Sequence, residues 1–225
     1  GVYSFEKSKH MTSGSEGGML ITSDENLAVR ARKFAGIGYK GLTAEAGRTS
    51  LASSVYQNPD YERFDTIGFN YRMNAITAAI GLAQFERIHE LVERRKKVGN
   101  LFLQAVNGCD WMETQEIPSY SEHSYFTFGL LYKGSEMRGV SWKSFYDRYK
   151  EIGGDGFYAC WKPPYMEPSL RGKEMNGQVF DSGLCPIAED YQKKIMAFKS
   201  NYRDLREAEF KADLLRQLIC EINNV

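Results

Sequence analysis

Ser4-Phe5-Glu6-Lys7-Ser8-Lys9-His10-Met11-Thr12-Ser13-Gly14-Ser15-Glu16-Gly17-Gly18 is the stretch on which the reading of this chain turns. Gly1-Val2-Tyr3-Ser4-Phe5 leads into it with the pattern of a half-buried strand, and Met19-Leu20-Ile21-Thr22 follows as a short apolar run of strand type. A strand thus delivers a hydroxyl and two lysines into a Gly/Ser/Thr-rich loop from Thr12 to Gly18, and the chain leaves that loop as a second strand. Glycines let a backbone approach a ligand closely, and Ser4 can donate to a phosphate oxygen. A lysine in a partly desolvated pocket can lose its proton and act as a nucleophile. The segment therefore reads as an anion site, and it is not a P-loop, because no G-x-x-x-x-G-K-[ST] is present.

Outward from the loop, Ser23 or Asp24 can cap a helix that sets Leu27, Ala31 and Phe34 on one face and ends at Gly36 and Gly38. Such alternation predicts an α/β layer. From Tyr39 to Ile67 the pattern weakens, with Gly41, Gly47, Ser53, Ser54 and Pro59 among polar and aromatic residues, as in a long active-site loop. Asn74 opens the longest helical signal, carried by Ile76, Ile80, Ala83, Ile88, Leu91, Val98 and Phe102 to about Val106. Beyond Gly108, Ser124 to Tyr132 is β-rich and aromatic, Trp142 to Ile152 is an amphipathic helix that Ser141 can cap, and Leu205 to Ile222 is a closing helix. This part reads as a separate α+β domain.

The charges balance, with 29 Lys and Arg against 29 Asp and Glu, so no basic field points to nucleic acid or a membrane surface. Cys109, Cys160, Cys185 and Cys220 form no C-x-x-C pair and only three histidines accompany them, so no metal site is expected and the thiols read as reduced, in a cytoplasmic protein. No apolar run reaches the ~18 residues that would span a bilayer.

S-F-x-x-x-K followed by T-S-G, an acidic residue and G-G resembles the cofactor-lysine segment of the DegT/StrS family of fold type I, pyridoxal phosphate (PLP) dependent sugar aminotransferases. The spacing of the resemblance gives the Schiff-base role to Lys9 rather than Lys7, and a PLP phosphate contact to Ser4. Ser15 departs from the pattern as an extra residue before Glu16. Gly68-Phe69-Asn70-Tyr71-Arg72-Met73, running into Ala78-Ala79-Ile80-Gly81-Leu82-Ala83-Gln84, resembles the same family's segment before its interdomain helix. In the family that segment reaches across a homodimer interface, which implies that Asn70 contacts the partner subunit's cofactor phosphate and that Tyr71 and Arg72 shape the substrate end of the site.

The resemblance implies the C-terminal half of a fold type I transferase. Residues 1–73 would end a large PLP-binding α/β domain, 74–106 would be the interdomain helix, and 107–225 the small α+β domain. It implies transfer of an amino group from glutamate or glutamine to a keto sugar, nucleotide-linked, in amino-sugar or cell-surface polysaccharide biosynthesis. A strand at the first residue, with no cap or turn ahead of it, reads as a start in mid-domain, so the 225-residue chain alone is expected to be inactive. Three other readings stand beside this one: a non-catalytic dimerisation or sugar-nucleotide-binding domain, a phosphate-binding module unrelated to PLP, and a sugar dehydratase of the same family. Dehydratases of the family carry histidine in place of the lysine, so Lys9 argues for transamination. His10 reads as a structural residue, because adjacent side chains on extended backbone point opposite ways. Glu93 to Lys97 reads as a solvated helix face, Tyr125, Phe126 and Phe128 as core, and Trp161-Lys162-Pro163-Pro164-Tyr165 as an ordered loop or an aromatic edge for a sugar.

Overall fold

A computed structural model describes residues 1–45 and 51–224, and for Tyr56 the backbone alone; Gly47 lies outside the described residues. The chain divides into two compact units, Gly1–Ile88 and His89–Val225. The mixed α/β character expected of the chain is present in both.

In the first unit, β1 (Val2–Ser4) and β2 (Gly18–Leu20) pair antiparallel, Val2 opposite Leu20 and Ser4 opposite Gly18. The ribbon was expected to be half-buried, but every residue in it is exposed, because two strands alone leave both faces open. Helix α1 (Glu25–Ala35) is capped by Asp24, whose side chain accepts from Leu27 N–H, and ends at Gly36. A single turn, α2 (Ser53–Tyr56), interrupts the loop that follows. Helix α3 (Ala75–Phe85) is capped by Asn74, which accepts from Thr77 N–H.

The helical signal from Asn74 to Val106 is not one helix. Hydrogen bonding tightens at the end of α3, where Arg87 N–H bonds Gln84 C=O three residues back, and α4 (Ile88–Val106) starts afresh. Shortening the i to i−4 ladder to i−3 breaks the helix without glycine or proline, so the apolar spacing carries no mark of it.

The second unit is built on an antiparallel sheet of order β3-β4-β8-β5. Its strands are β3 (Met112–Thr114), β4 (Phe128–Tyr132), β5 (Tyr158–Ala159) and β8 (Ile195–Phe198). Between them lie α5 (Gly134–Met137), α6 (Trp142–Glu151), a small hairpin of β6 (Glu174–Met175) and β7 (Gln178–Val179), and α7 (Pro186–Gln192). Helix α8 (Leu205–Asn223) closes the chain. Phe128, Leu130 and Tyr132 of β4 and Met196 and Phe198 of β8 alternate inward, as the two-residue period of a strand requires. They meet the buried stripes of α4 (Val98, Phe102, Ala105), α6 (Phe145, Tyr149) and α8 (Ala212, Leu215, Leu218) in one core.

That core is aromatic, with ring centroids of Phe102 and Phe198 5.5 Å apart and of Phe157 and Phe198 4.8 Å apart. Its polar tips are bonded: Trp111 Nε1–H donates to Asn223 Oδ1 at 2.8 Å, Tyr132 O–H to Val140 C=O at 2.7 Å, and Tyr149 O–H to Lys211 C=O at 2.9 Å. Two expectations change here. Arg95, read as part of a solvated charge run, is only 7% exposed, since its position falls on the stripe shared with Val98 and Phe102. Phe126 stays 40% exposed while Tyr125 and Phe128 are buried, because a turn at Tyr125 precedes the strand.

Asp155 ties the loop after α6 to α8 and its approach. Tyr202 O–H donates to Asp155 Oδ2 at 2.8 Å, and the ammonium groups of Lys211 and Lys199 lie 3.4 and 3.6 Å from its oxygens. Burial acts to push this carboxyl up, but the Tyr202 hydrogen bond and the two lysine charges outweigh it and hold the pKa below its ordinary 3.8. A depressed carboxyl contributes stability that is complete above the unfolded value and is lost as pH falls through the folded one. Asp155→Asn should therefore cost about 1–2 kcal/mol at neutral pH and flatten the loss of stability as pH falls below about 4. Urea unfolding across that range checks it, and an unchanged acid limb in the variant would refute the assignment.

Candidate functional site

The β1–β2 ribbon holds the loop that carries Ser4 and Lys9. Beyond the strands the pairing continues with Phe5 N–H to Gly17 C=O and Lys7 N–H to Ser15 C=O, both at 2.8 Å. Ser13 N–H returns to Phe5 C=O at 3.1 Å, and Lys9 N–H bonds Glu6 C=O at 2.9 Å. Residues 7–10 are thus turn and bend rather than strand, so strand alternation does not decide the direction of His10. Lys9 and His10 are both half-buried.

Glu6 braces this turn. Its Oε2 accepts from Ser8 N–H at 2.9 Å and from the Ser8 hydroxyl. Those bonds first, then the charges of Lys9 and Lys7, hold its carboxyl below the usual range, so it stands as an anion beside the lysines. The Ser4 hydroxyl oxygen accepts from Glu6 N–H at 3.4 Å, which leaves the hydroxyl proton to donate elsewhere.

The glycines of the loop serve packing. A Cβ on Gly17 would lie 2.1 Å from Ser13 Oγ, and one on Gly18 would lie 2.8 Å from Tyr3 C=O. Gly14, at φ +98°, faces Ile80 of α3, and Gly81 of α3 faces Ser13. The loop therefore rests on the helix that follows the second sequence motif, and the two motifs meet through Ser13, Ile80 and Gly81.

Asn70, Tyr71 and Arg72 stand on a different segment. Residues 63–71 run antiparallel to the end of α1 and residues 36–40, through Lys40 N–H to Arg63 C=O, Asp65 N–H to Gly38 C=O, Ile37 N–H to Phe69 C=O and Tyr71 N–H to Ala35 C=O. Gly36 pairs with Asn70 and Tyr39 with Phe64. The approach is very close: a Cβ on Gly38 would lie 1.9 Å from Thr66 C=O, and one on Gly68 would lie 2.6 Å from Gly38 N. Ile37 takes φ +67° between its two glycines, an outlier for a β-branched residue that only firm surroundings sustain. Phe34, Phe69 and Tyr71 cluster along the joint, Phe34 edge-on to Phe69 and Phe69 stacked on Tyr71 with centroids 5.5 Å apart. Arg72 Nε–H donates to Asn70 Oδ1 at 2.9 Å. Asn70, Tyr71 and Arg72 are all exposed.

These residue types suit a phosphorylated aldehyde: Lys9 offers an amine, and the Ser4 hydroxyl and the Asn70 amide offer donors to a dianion. A cleft of about 550 Å³ in the second unit is of another kind, lined by Cys160, Cys185, Pro186, Tyr191 and Ile195 and apolar. Glu6, Ser8 and Ile37 are contributors that sequence reading passed over. The Gly-x-Gly at 36–38 marked a helix end, and nothing in it marked a strained residue between the glycines.

Residues 1–208 match the DegT/DnrJ/EryC1/StrS aminotransferase family, and the chain belongs to that family. GDP-perosamine synthase of Escherichia coli O157:H7 is 30% identical over 137 residues, which are 61% of this chain and 32% of that protein. EpsN of Bacillus subtilis (strain 168), named as a pyridoxal phosphate-dependent aminotransferase, is 27% identical over 215 residues, 87% of this chain and 48% of its own length. The aminotransferase from Psychrobacter cryohalolentis has the same fold, with a TM-score of 0.79 at 19% identity over 99% of this chain and 56% of that one. The chain thus spans about half the length, or less, of these relatives. Among the described residues no helix is long and apolar enough to cross a membrane.

The close approach at Gly38 has a measurable consequence. Gly38→Ala places a methyl group against backbone, whereas Gly139→Ala meets nothing within 4 Å at a similar positive φ. Gly38→Ala should cost about 1–3 kcal/mol more than Gly139→Ala, and amide exchange at residues 36–40 and 66–71 should speed up in the first variant alone. Equal costs in urea unfolding would show that the approach is not limiting.

Proposed function

We propose that the protein is a PLP-dependent aminotransferase that moves an amino group from glutamate or glutamine to a keto sugar, nucleotide-linked, in amino-sugar or cell-surface polysaccharide biosynthesis. The observation that carries this reading is Lys9, half-buried in a braced turn directly after β1 and sharing its hairpin with Ser4, within a family match that runs over residues 1–208. The nucleotide-linked sugar is supported by GDP-perosamine synthase among the relatives.

In this reading residues 1–73 end a large cofactor-binding domain, 74–106 form the interdomain stretch and 107–225 the small domain; the two compact units support that organisation. The protein acts in the cytoplasm as a homodimer. Support for an interface comes from the exposed apolar side chains of the first unit, among them Val2, Ile67, Tyr71 and Ile76, since apolar exposure of this kind marks association surfaces.

PLP, when bound, supplies the aldehyde carbon and an electron sink for the bond broken at the amino-bearing carbon. Lys9 Nζ would hold the cofactor covalently and, once free of it, would take and return the proton at the substrate carbon. Ser4 O–H donates to the phosphate from the same hairpin, and Asn70 Nδ2–H donates to it from the partner subunit. Tyr71 bounds the substrate end. A lysine at this place supports transamination over dehydration, since a dehydratase needs a base with no covalent hold on the cofactor.

Incubation of the full-length protein with PLP, borohydride reduction and peptide mass spectrometry should find the pyridoxyl mass on the peptide containing Lys9, and Lys9→Ala should abolish labelling and lower transamination by at least about a thousandfold. A label on another lysine, or none, would replace this reading with a non-catalytic one.

A further inference from the structure

Asn70 has an amide with two unlike ends, and an anion can be bound by only one of them. The nitrogen carries two donors and the oxygen only accepts, so a half-turn of the side chain converts attraction for a phosphate into repulsion. On an exposed residue nothing intrinsic selects between the two orientations. Here the backbone of Asn70 is fixed by its pairing with Gly36 and by the bond from Tyr71 N–H to Ala35 C=O at 2.9 Å, and Arg72 Nε–H meets Asn70 Oδ1 at 2.9 Å. Turning the amide over would bring its NH2 against a cationic N–H, donor against donor. The bond from Arg72 therefore selects the rotamer that turns Nδ2 away from the arginine.

We propose that Arg72 is a positioning residue that orients the Asn70 amide as a phosphate donor. This deepens the PLP reading and rests on it. The resemblance places Arg72 at the substrate end of the site, and in the structure its Nε–H bonds the neighbouring amide. Arg72 acts through one directed N–H, so charge alone does not replace it. Lysine keeps the charge but has no Nε–H donor at that point along its stem. The strained Gly36-Ile37-Gly38 turn fixes the backbone on which this works, and the arginine supplies the last rotation.

The test is a double-mutant cycle read by cofactor binding. Affinities of the protein for PLP and for pyridoxal, which lacks the phosphate, are measured by absorbance titration in the wild type, Asn70→Ala, Arg72→Ala, Arg72→Lys and the Asn70→Ala/Arg72→Ala double variant. Each single variant should bind PLP about tenfold more weakly, the size of one charge-assisted hydrogen bond, with pyridoxal affinity unchanged. The double variant should match Asn70→Ala alone, because without the amide there is nothing to orient. A fold defect would weaken both ligands together, so the ratio of the two affinities isolates positioning. Additive losses in the double variant, or full affinity in Arg72→Lys, would mean that Arg72 meets the phosphate itself and would overturn this inference while leaving Asn70 as a phosphate contact. An unchanged ratio in Asn70→Ala would overturn both.

Discussion

Backbone packed directly on backbone holds the first unit together. Among its described residues Leu42 is the only apolar side chain that is buried, so hydrophobic burial contributes little to its cohesion. What binds residues 36–40 to 63–71 is a series of main-chain hydrogen bonds, and those need the strands of chain to come closer than side chains allow. Gly38 and Gly68 make room, each where a Cβ would strike a main-chain atom. Gly18 uses the same device against β1, where a Cβ would lie 2.8 Å from Tyr3 C=O, while Gly17 makes room for the Ser13 side chain. Asn70 sits on the first of these joints, and Ser4 stands opposite Gly18 in the second. Such a joint gives fixed geometry without a large core, at the cost of tolerating almost no substitution.

The second unit solves its problem differently. Its core is rich in rings, and among its described residues a single charge, that of Arg95, is buried. Arg95 donates to Phe126 C=O at 2.8 Å and to Ser200 Oγ at 3.1 Å, while Ser200 Oγ–H is within 2.6 Å of Tyr125 C=O. These carbonyls belong to a turn in which Tyr125 takes φ +46°, a conformation unfavourable for an aromatic residue. Gly99 on α4 opens the slot for its ring, since a Cβ there would sit 2.4 Å from it, and His123 Nδ1 accepts the Tyr125 N–H at 2.9 Å. The charge is retained where carbonyls would otherwise be orphaned by the turn. Helix and sheet are locked at the point where the chain enters β4.

Local chemistry was legible in the sequence; what depends on distant partners was not. Asp24, Asn74 and Ser141 were readable as caps because a cap bonds to its own helix three residues on. The ends of α1 and the start of α6 followed from the same signals, whereas α8 was read without its cap, Asp204. The burial of Arg95 was invisible, because a run of Glu and Lys around it masked its place on the apolar stripe and because its partners lie far away in sequence, at Phe126 and Ser200. The break between α3 and α4 was hidden for a related reason: apolar spacing continues through it, and only backbone bonding changes. The hairpin at Gln178 was missed although Asn176-Gly177, both at positive φ, is the pair that a tight turn asks for. At the candidate site, the hydroxyl and the lysine stood out as residue types, whereas the bracing by Glu6 and the strain at Ile37 appear only once the backbone is in place.

A lysine that must grip a cofactor and let it go needs opposite properties in its two halves. Its backbone has to return Nζ to one place on every turnover, and its side chain has to swing. Lys9 has both. Its N–H is bonded to Glu6 C=O, and Glu6 in turn is tied to Ser8 through its carboxylate and to Ser4 through its N–H, so the turn is closed on itself within six residues. Four rotatable carbons then separate this fixed point from the amine. The carboxylate that braces the turn is also the nearest anion to the amine in sequence, and it is bound by Ser8 rather than turned wholly to the lysine. The turn therefore places Lys9 by its main chain, which is what the repeated attachment and release proposed for it would demand of the backbone.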